Sequence, residues 1–156
     1  MDWTKLIVSL LACQAAGAIG GFFTARKIPT WYAGLVKPSF NPPSWVFGPV
    51  WTLLYLLMGY ALYLVWREPE DLPGRTMAMS FFVLQLFLNT LWSYFFFGLQ
   101  KPWLALGEMA LLWAAILASL LSFYPLSQQA GWLLTPYLAW VSFAFALNLS
   151  IARLNP

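Results

Sequence analysis

From Pro102 to Ala152 the chain carries a single charged side chain, Glu108. So little charge over so long a stretch leaves no polar face to turn toward water. Three more intervals are free of charge altogether: Leu6 to Ala25, Val46 to Trp66, and the segment between Arg75 and Lys101. Each meets the requirement of about 20 mostly apolar residues for a helix that crosses the hydrocarbon of a bilayer. The Pro102 to Ala152 stretch is too long for one crossing. It is interrupted by Tyr124-Pro125-Leu126-Ser127-Gln128-Gln129-Ala130-Gly131, whose proline, glycine and polar side chains read as a turn. The expected architecture is an all-α membrane protein, a five-transmembrane-helix bundle forming one domain over residues 1–156. Its spans are expected near 6–25, 46–66, 76–100, 102–123 and 132–152. A cleaved signal peptide competes for the first segment, because Ala16-Gly17-Ala18 follows an apolar stretch. Against it, the run continues through Ile19-Gly20-Gly21-Phe22-Phe23, and Asp2 offsets Lys5.

Only 8% of the residues are charged, against about 25% in a soluble domain. The net charge of +3 comes from basic residues scattered between apolar runs, which form no continuous patch for nucleic acid. They read instead as topology signals. Arg26, Lys27, Lys37, Lys101 and Arg153 fall on the side of the first and third loops and the C-terminus, and Lys5, Arg67 and Arg75 fall on the other. The excess of basic residues places the first loop and the C-terminus in the cytoplasm. With no histidine and one cysteine, Cys13, the chain has no internal disulfide, no Ser/His/Asp or Cys/His machinery of its own, and no zinc or histidine-ligated haem site.

The first loop, from about Arg26 to Ser44, is longer than compact domains usually tolerate without a function. Its aromatics and prolines, among them Trp31, Tyr32, Lys37, Pro38, Phe40, Pro42 and Pro43, predict an ordered lid over the helix ends rather than a simple interfacial anchor. Six tryptophans, Trp3, Trp31, Trp45, Trp66, Trp103 and Trp132, fall near span ends, where an aromatic belt accounts for them. Trp51, Trp92, Trp113 and Trp140 lie deeper. On the third span Gln85, Asn89, Trp92 and Phe96 share a face. Trp51, Tyr55 and Gly59 do so on the second, and Tyr137, Trp140, Ala144 and Asn148 on the fifth. Two readings of these stripes stay open. Turned inward around a space, they make a site for a large planar apolar ligand. Packed tightly, Gln14, Gln85, Asn89 and Asn148 are interhelical hydrogen-bond glue and the tryptophans are filler. Glu108 is expected to reach interfacial water. Ala16-x-x-x-Gly20 and Gly17-x-x-x-Gly21 allow close helix approach, within the monomer or across a dimer.

Four ordered motifs carry a family resemblance. They are Trp31-Tyr32-Ala33-Gly34-Leu35 with Lys37-Pro38-Ser39-Phe40-Asn41-Pro42-Pro43; Phe47-Gly48-Pro49-Val50-Trp51 with Leu54-Tyr55; Gln85-Leu86-x-Leu88-Asn89-x-x-Trp92 ahead of Phe96-Phe97-Gly98; and Pro136-Tyr137-Leu138-Ala139-Trp140 ahead of Leu147-Asn148. Across nearly its whole length the chain resembles the TspO family, the bacterial tryptophan-rich sensory proteins and the mitochondrial translocator protein or peripheral benzodiazepine receptor. The resemblance implies a membrane receptor or carrier, commonly a homodimer. Its ligands would be porphyrins such as protoporphyrin IX, sterols and other apolar small molecules, bound under the first loop in a bilayer setting.

The positions it implies for that site are Trp51, Asn89, Trp92, Trp140, Ala144 and Leu147, to which the second-span stripe adds Tyr55. It further implies light- and oxygen-dependent breakdown of bound porphyrin, for which Trp51 and Trp140 would be the catalytic residues, with porphyrin as ligand and no resident cofactor or metal. A ligand-regulated stress-response scaffold and a sterol or lipid binder are the alternatives. The membrane would be a bacterial inner membrane or a mitochondrial outer membrane, according to the host. Leu147-Asn148-Leu149-Ser150-Ile151-Ala152-Arg153 departs from the animal sterol segment in lacking its tyrosine. The third span also lacks the Gly-x-x-x-Gly of animal members, so neither the animal sterol segment nor that dimer device carries over as such.

Overall fold

Asp2 starts the first helix. Its Oδ1 accepts from the Lys5 backbone N–H at 3.1 Å, satisfying one of the donors that a helix N-terminus leaves free. In the computed structural model, which describes residues 1–156, α1 therefore runs unbroken over Trp3–Ala25, three residues earlier than the charge pattern alone predicts. Lys5 lies inside the helix and reaches back along it to donate to the Trp66 carbonyl at 3.3 Å.

The loop that follows contains a short 3₁₀ turn at Tyr32–Gly34, and a second at Ser44–Val46 leads into α2, Phe47–Trp66. Gly74, at φ +86°, makes the left-handed turn into α3, Arg75–Ser93. A π-helical turn over Tyr94–Gly98 extends α3, and α4 spans Pro102–Phe123 with proline in its first turn, where its missing N–H costs least. Five helices are thus long and apolar enough to cross a membrane.

The fifth crossing differs from the sequence expectation. Ser127 Oγ accepts from the Ala130 N–H at 3.3 Å and caps a helical segment α5, Gln128–Leu133. Gln128 through Gly131 are therefore helical, not part of the turn. The chain breaks at Leu134, just before Pro136, and resumes as α6 over Thr135–Leu154.

The helices pack in the order α2, α1, α3, α4, α6, and α5 closes the ring back onto α2. Close approach depends on small residues. A Cβ added at Gly59 would lie 2.9 Å from Leu10 Cα, and one at Gly17 would lie 2.6 Å from the Tyr55 ring. Gly20 faces Ser93, and Thr90 Oγ1 donates to the Ala16 carbonyl at 3.3 Å, so these positions of α1 serve packing inside the monomer. The α2 and α6 backbones come close at few points, and a space bordered by their aromatic side chains is left between them.

Glu108 does not reach interfacial water. It is 6% exposed, and both carboxylate oxygens are buried without a hydrogen-bond partner. The reason is facial: Glu108 shares the inward side of α4 with Ala105, Met109 and Leu112, all buried, and depth along the helix does not override that.

Candidate functional site

The space between α2 and α6 is a cavity of about 590 Å³, within the roughly 300–1,000 Å³ of small-molecule sites. Its walls come from α1, α2, α3 and α6, with Met109 and Leu112 of α4 behind. Trp51, Tyr55, Asn89, Trp92, Trp140, Ala144 and Leu147, the seven positions singled out from sequence, all line it. The α1 residues Gln14, Gly17 and Gly20, together with Ser93, Phe97 and Ile28, line it too without having been singled out as site residues. The glycine pattern of α1 signalled only close packing, and nothing in it distinguishes a glycine against a side chain from one beside a void.

Each tryptophan is fixed differently. Trp92 stacks on Phe96, with ring centroids 5.0 Å apart and an interplanar angle of 20°, and its Nε1–H donates to Asn148 Oδ1 at 3.0 Å. Trp51 lies against Tyr55 at 5.7 Å and meets Tyr137 edge-on at 6.2 Å. Trp140 packs on Phe47 and Phe143, while its Nε1–H is buried with no acceptor. Trp113 is the exception among the four deep tryptophans. It is 36% exposed on the outside of the bundle and donates to Ser142 Oγ at 2.9 Å, bridging α4 to α6 away from the cavity. The π-helical turn has a visible effect here: Phe96 and Phe97 are consecutive yet both buried, and both line the cavity. A widened turn re-registers side chains in this way and is common beside functional sites.

The floor is a hydrogen-bonded chain. Tyr55 Oη donates to Asn89 Oδ1 at 2.9 Å, Asn89 Nδ2 donates to the Tyr137 hydroxyl, and Tyr137 Oη donates to Gln85 Oε1 at 2.7 Å. Asn148 Nδ2 donates to the Pro102 carbonyl at 3.0 Å, and Gln14 Nε2 donates to the Thr52 carbonyl at 3.3 Å. All four amides are therefore interhelical glue, while Gln14, Asn89 and Asn148 are also cavity wall. An asparagine amide has two N–H groups and two lone pairs, and the bonds to Tyr55 and Tyr137 use one of each in Asn89.

The first loop contributes Ile28, Tyr32 and Ser44 to the cavity lining. Tyr32 is buried, lines the cavity and donates to Asn41 Oδ1 at 2.9 Å. Burial pushes its phenol pKa up, and the bond to Asn41 opposes that shift. Lys37 Nζ sits 4.8 Å over the Tyr32 ring and donates to the Leu35 carbonyl at 3.2 Å. Trp31 meets Phe96 and Phe97 edge-on, and Phe40 meets Phe143. The prolines at 38, 42 and 43 frame the turns between these contacts, with Asn41 N–H donating to the Pro38 carbonyl and Val46 N–H to that of Pro43. The loop is also tied to the other end of the chain: Val36 N–H donates to Asn155 Oδ1 at 3.0 Å, and Asn155 Nδ2 returns a bond to the Val36 carbonyl at 2.8 Å. Asn155→Ala removes both bonds, each worth about 0.5–1.5 kcal/mol net. Amide exchange across residues 36–41 should then speed up about fivefold or more, with α2 unchanged, as followed by hydrogen-exchange mass spectrometry. Equal exchange in variant and parent would show that the aromatic contacts alone hold the loop.

Residues 9–154 match the TspO/MBR family. The chain is 47% identical over 155 residues to the tryptophan-rich protein TspO of Archaeoglobus fulgidus, covering 99% of both sequences. It is 39% identical over 155 residues to the tryptophan-rich sensory protein of Cereibacter sphaeroides, covering 99% of this chain and 94% of the relative. To the translocator protein of Homo sapiens it is 38% identical over 154 residues, covering 98% of this chain and 91% of the relative. With the match running from within α1 to the last residue of α6, and five helices able to cross a membrane, the chain belongs to the TspO/MBR family of integral membrane proteins.

Proposed function

We propose that the protein is a membrane receptor or carrier for tetrapyrroles of the protoporphyrin IX type, held in the cavity beneath the first loop. The observation that carries this reading is the cavity itself, with the indoles of Trp51, Trp92 and Trp140 spread over three helices around one space. Flat π-surfaces with a few amide groups suit a planar apolar macrocycle. With no histidine in the chain, stacking and hydrogen bonding do the holding, and imidazole coordination takes no part.

The test is a protoporphyrin titration followed by tryptophan fluorescence in detergent, in the dark and under argon. Saturable quenching at one porphyrin per chain is expected, and non-saturable quenching alone overturns the reading. Repeating the titration under light and air separates the roles. A porphyrin that persists marks a receptor. Loss that needs both light and oxygen marks a photochemical enzyme in which Trp51 and Trp140 exchange electrons with the excited macrocycle.

We place the first loop and the C-terminus in the cytoplasm. The Val36 to Asn155 bonds support a shared side for the two, and the excess of basic residues there supports which side it is. Cys13 is fully buried, so introduced cysteines can be read without background. In intact cells Ser39→Cys should resist a membrane-impermeant thiol reagent while Asp71→Cys reacts. The opposite pattern inverts the orientation.

A further inference from the structure

A second recess lies on the outer face of α3, at the end of the bundle away from the first loop. Arg75 and Thr76 line its upper part with Trp66 and Glu70, and Met79, Val83 and Phe87 line it below. These last three are four residues apart and form one stripe along the helix, with Val83 61% and Phe87 62% exposed. At about 1.5 Å per residue the stripe reaches about 18 Å down from Arg75, comparable with the roughly 15 Å hydrocarbon depth of one leaflet.

The head of the recess carries both charges. Arg75 is 9% exposed. Its Nη2 donates to the Trp66 carbonyl at 2.8 Å, and its Nε–H is buried with no acceptor. A guanidinium has five donors, so most of this one's capacity is unused where α3 enters the membrane. Glu70, in the connecting loop beyond the helix, is exposed. The cation is thus buried at the first residue of the helix that carries the apolar stripe, and the anion is exposed to solvent in the loop before it.

We propose that this recess binds a zwitterionic aminophospholipid of the phosphatidylethanolamine type. The phosphate, nearest the glycerol, lies against Arg75 and the Thr76 hydroxyl. The terminal ammonium lies against Glu70, and one acyl chain follows Met79, Val83 and Phe87. The order of charges in the lipid matches the order in the recess. An anionic headgroup would satisfy Arg75 but would meet Glu70 unfavourably. A choline headgroup would bring a cation without the N–H donors that a carboxylate accepts from.

The experiment is native mass spectrometry of the whole protein in mild detergent with equal amounts of dioleoyl phosphatidylethanolamine, phosphatidylcholine and phosphatidylglycerol. Phosphatidylethanolamine should be retained about two- to fivefold over phosphatidylcholine, the size of one exposed ion pair. Glu70→Gln, at an exposed position, should bind the two equally. Arg75→Gln should reduce retention of all three, and Arg75→Lys should restore part of it. Equal retention of phosphatidylethanolamine and phosphatidylcholine by the parent overturns the proposal. So does a preference for phosphatidylglycerol, or a Glu70→Gln variant that keeps the parent's preference.

Discussion

Trp140→Ala should weaken protoporphyrin binding by more than tenfold. An aromatic contact contributes about 0.5–1.5 kcal/mol beyond the area it buries, and the lost area adds roughly 25 cal/mol per Å². Their sum exceeds the 1.4 kcal/mol or so that corresponds to a factor of ten. Trp140→Phe should cost much less, because it keeps a ring in the wall and removes an N–H that is buried without an acceptor. Trp51→Ala should resemble Trp140→Ala in affinity and also disturb the floor, since Trp51 contacts both Tyr55 and Tyr137.

Asn89→Ala acts mainly on that floor. It removes the acceptor of Tyr55 and a donor to Tyr137, while Tyr137 keeps its bond to Gln85. Affinity should fall less than tenfold, because a neutral hydrogen bond is worth about 0.5–1.5 kcal/mol net, and the melting temperature should drop as well. Trp3→Phe, on the exposed surface of α1, should change neither. Fluorescence quenching by protoporphyrin in one detergent measures all of these. Parent-like binding by both alanine variants at 51 and 140 would mean that the indoles fill the core and the site lies elsewhere.

Why the stripes at 85, 89, 92 and 96 and at 137, 140, 144 and 148 were legible is a matter of periodicity. In a span without charges the few polar side chains mark the inward face, because lipid tails offer them no partner. Trp113 shows the limit of that argument. Its neighbours on α4 are apolar all round, lipid and core are alike to an indole, and a serine on α6 was enough to give its N–H a partner on the outer surface. Glu108 erred in the opposite direction, since position along the helix suggested water while the helix face dictated burial. Span ends were readable where a charge or a proline-bearing turn stood just beyond them, as after Trp66 and Phe123. The Asp2 and Ser127 caps move the helix starts, and such side-chain caps follow a local three-residue relation that hydropathy does not register. The clasp between Val36 and Asn155 joins residues 119 positions apart, and no local pattern encodes a partner at that distance.

Two glycines should respond to substitution with opposite signs, and the difference tests how α1 and α2 are held together. A Cβ at Gly59 would lie 2.9 Å from Leu10 Cα, 3.0 Å from Leu10 Cδ2 and 3.2 Å from the Ser9 carbonyl oxygen. Two of those three are backbone atoms, so the side chain cannot be accommodated by a rotamer change, and α1 itself must move. Gly59→Leu gains up to about 1 kcal/mol in helix propensity, but overpacking costs about 1–3 kcal/mol and sometimes more, and the displaced α1 also carries Gly17 away from Tyr55. The net effect should be a clear fall in melting temperature, with weaker porphyrin binding following from the shift of the α1 wall. Gly107 lies in α4, where an added Cβ meets nothing within 4 Å. Gly107→Ala should therefore gain the propensity term alone, about 0.5–1 kcal/mol, and raise the melting temperature slightly with binding unchanged. Scanning fluorimetry of the two variants beside the parent reads both signs in one experiment. A Gly59→Leu protein as stable as the parent would show that α1 and α2 do not need the close approach at Leu10, and that the wall α1 gives the cavity is not fixed by that crossing.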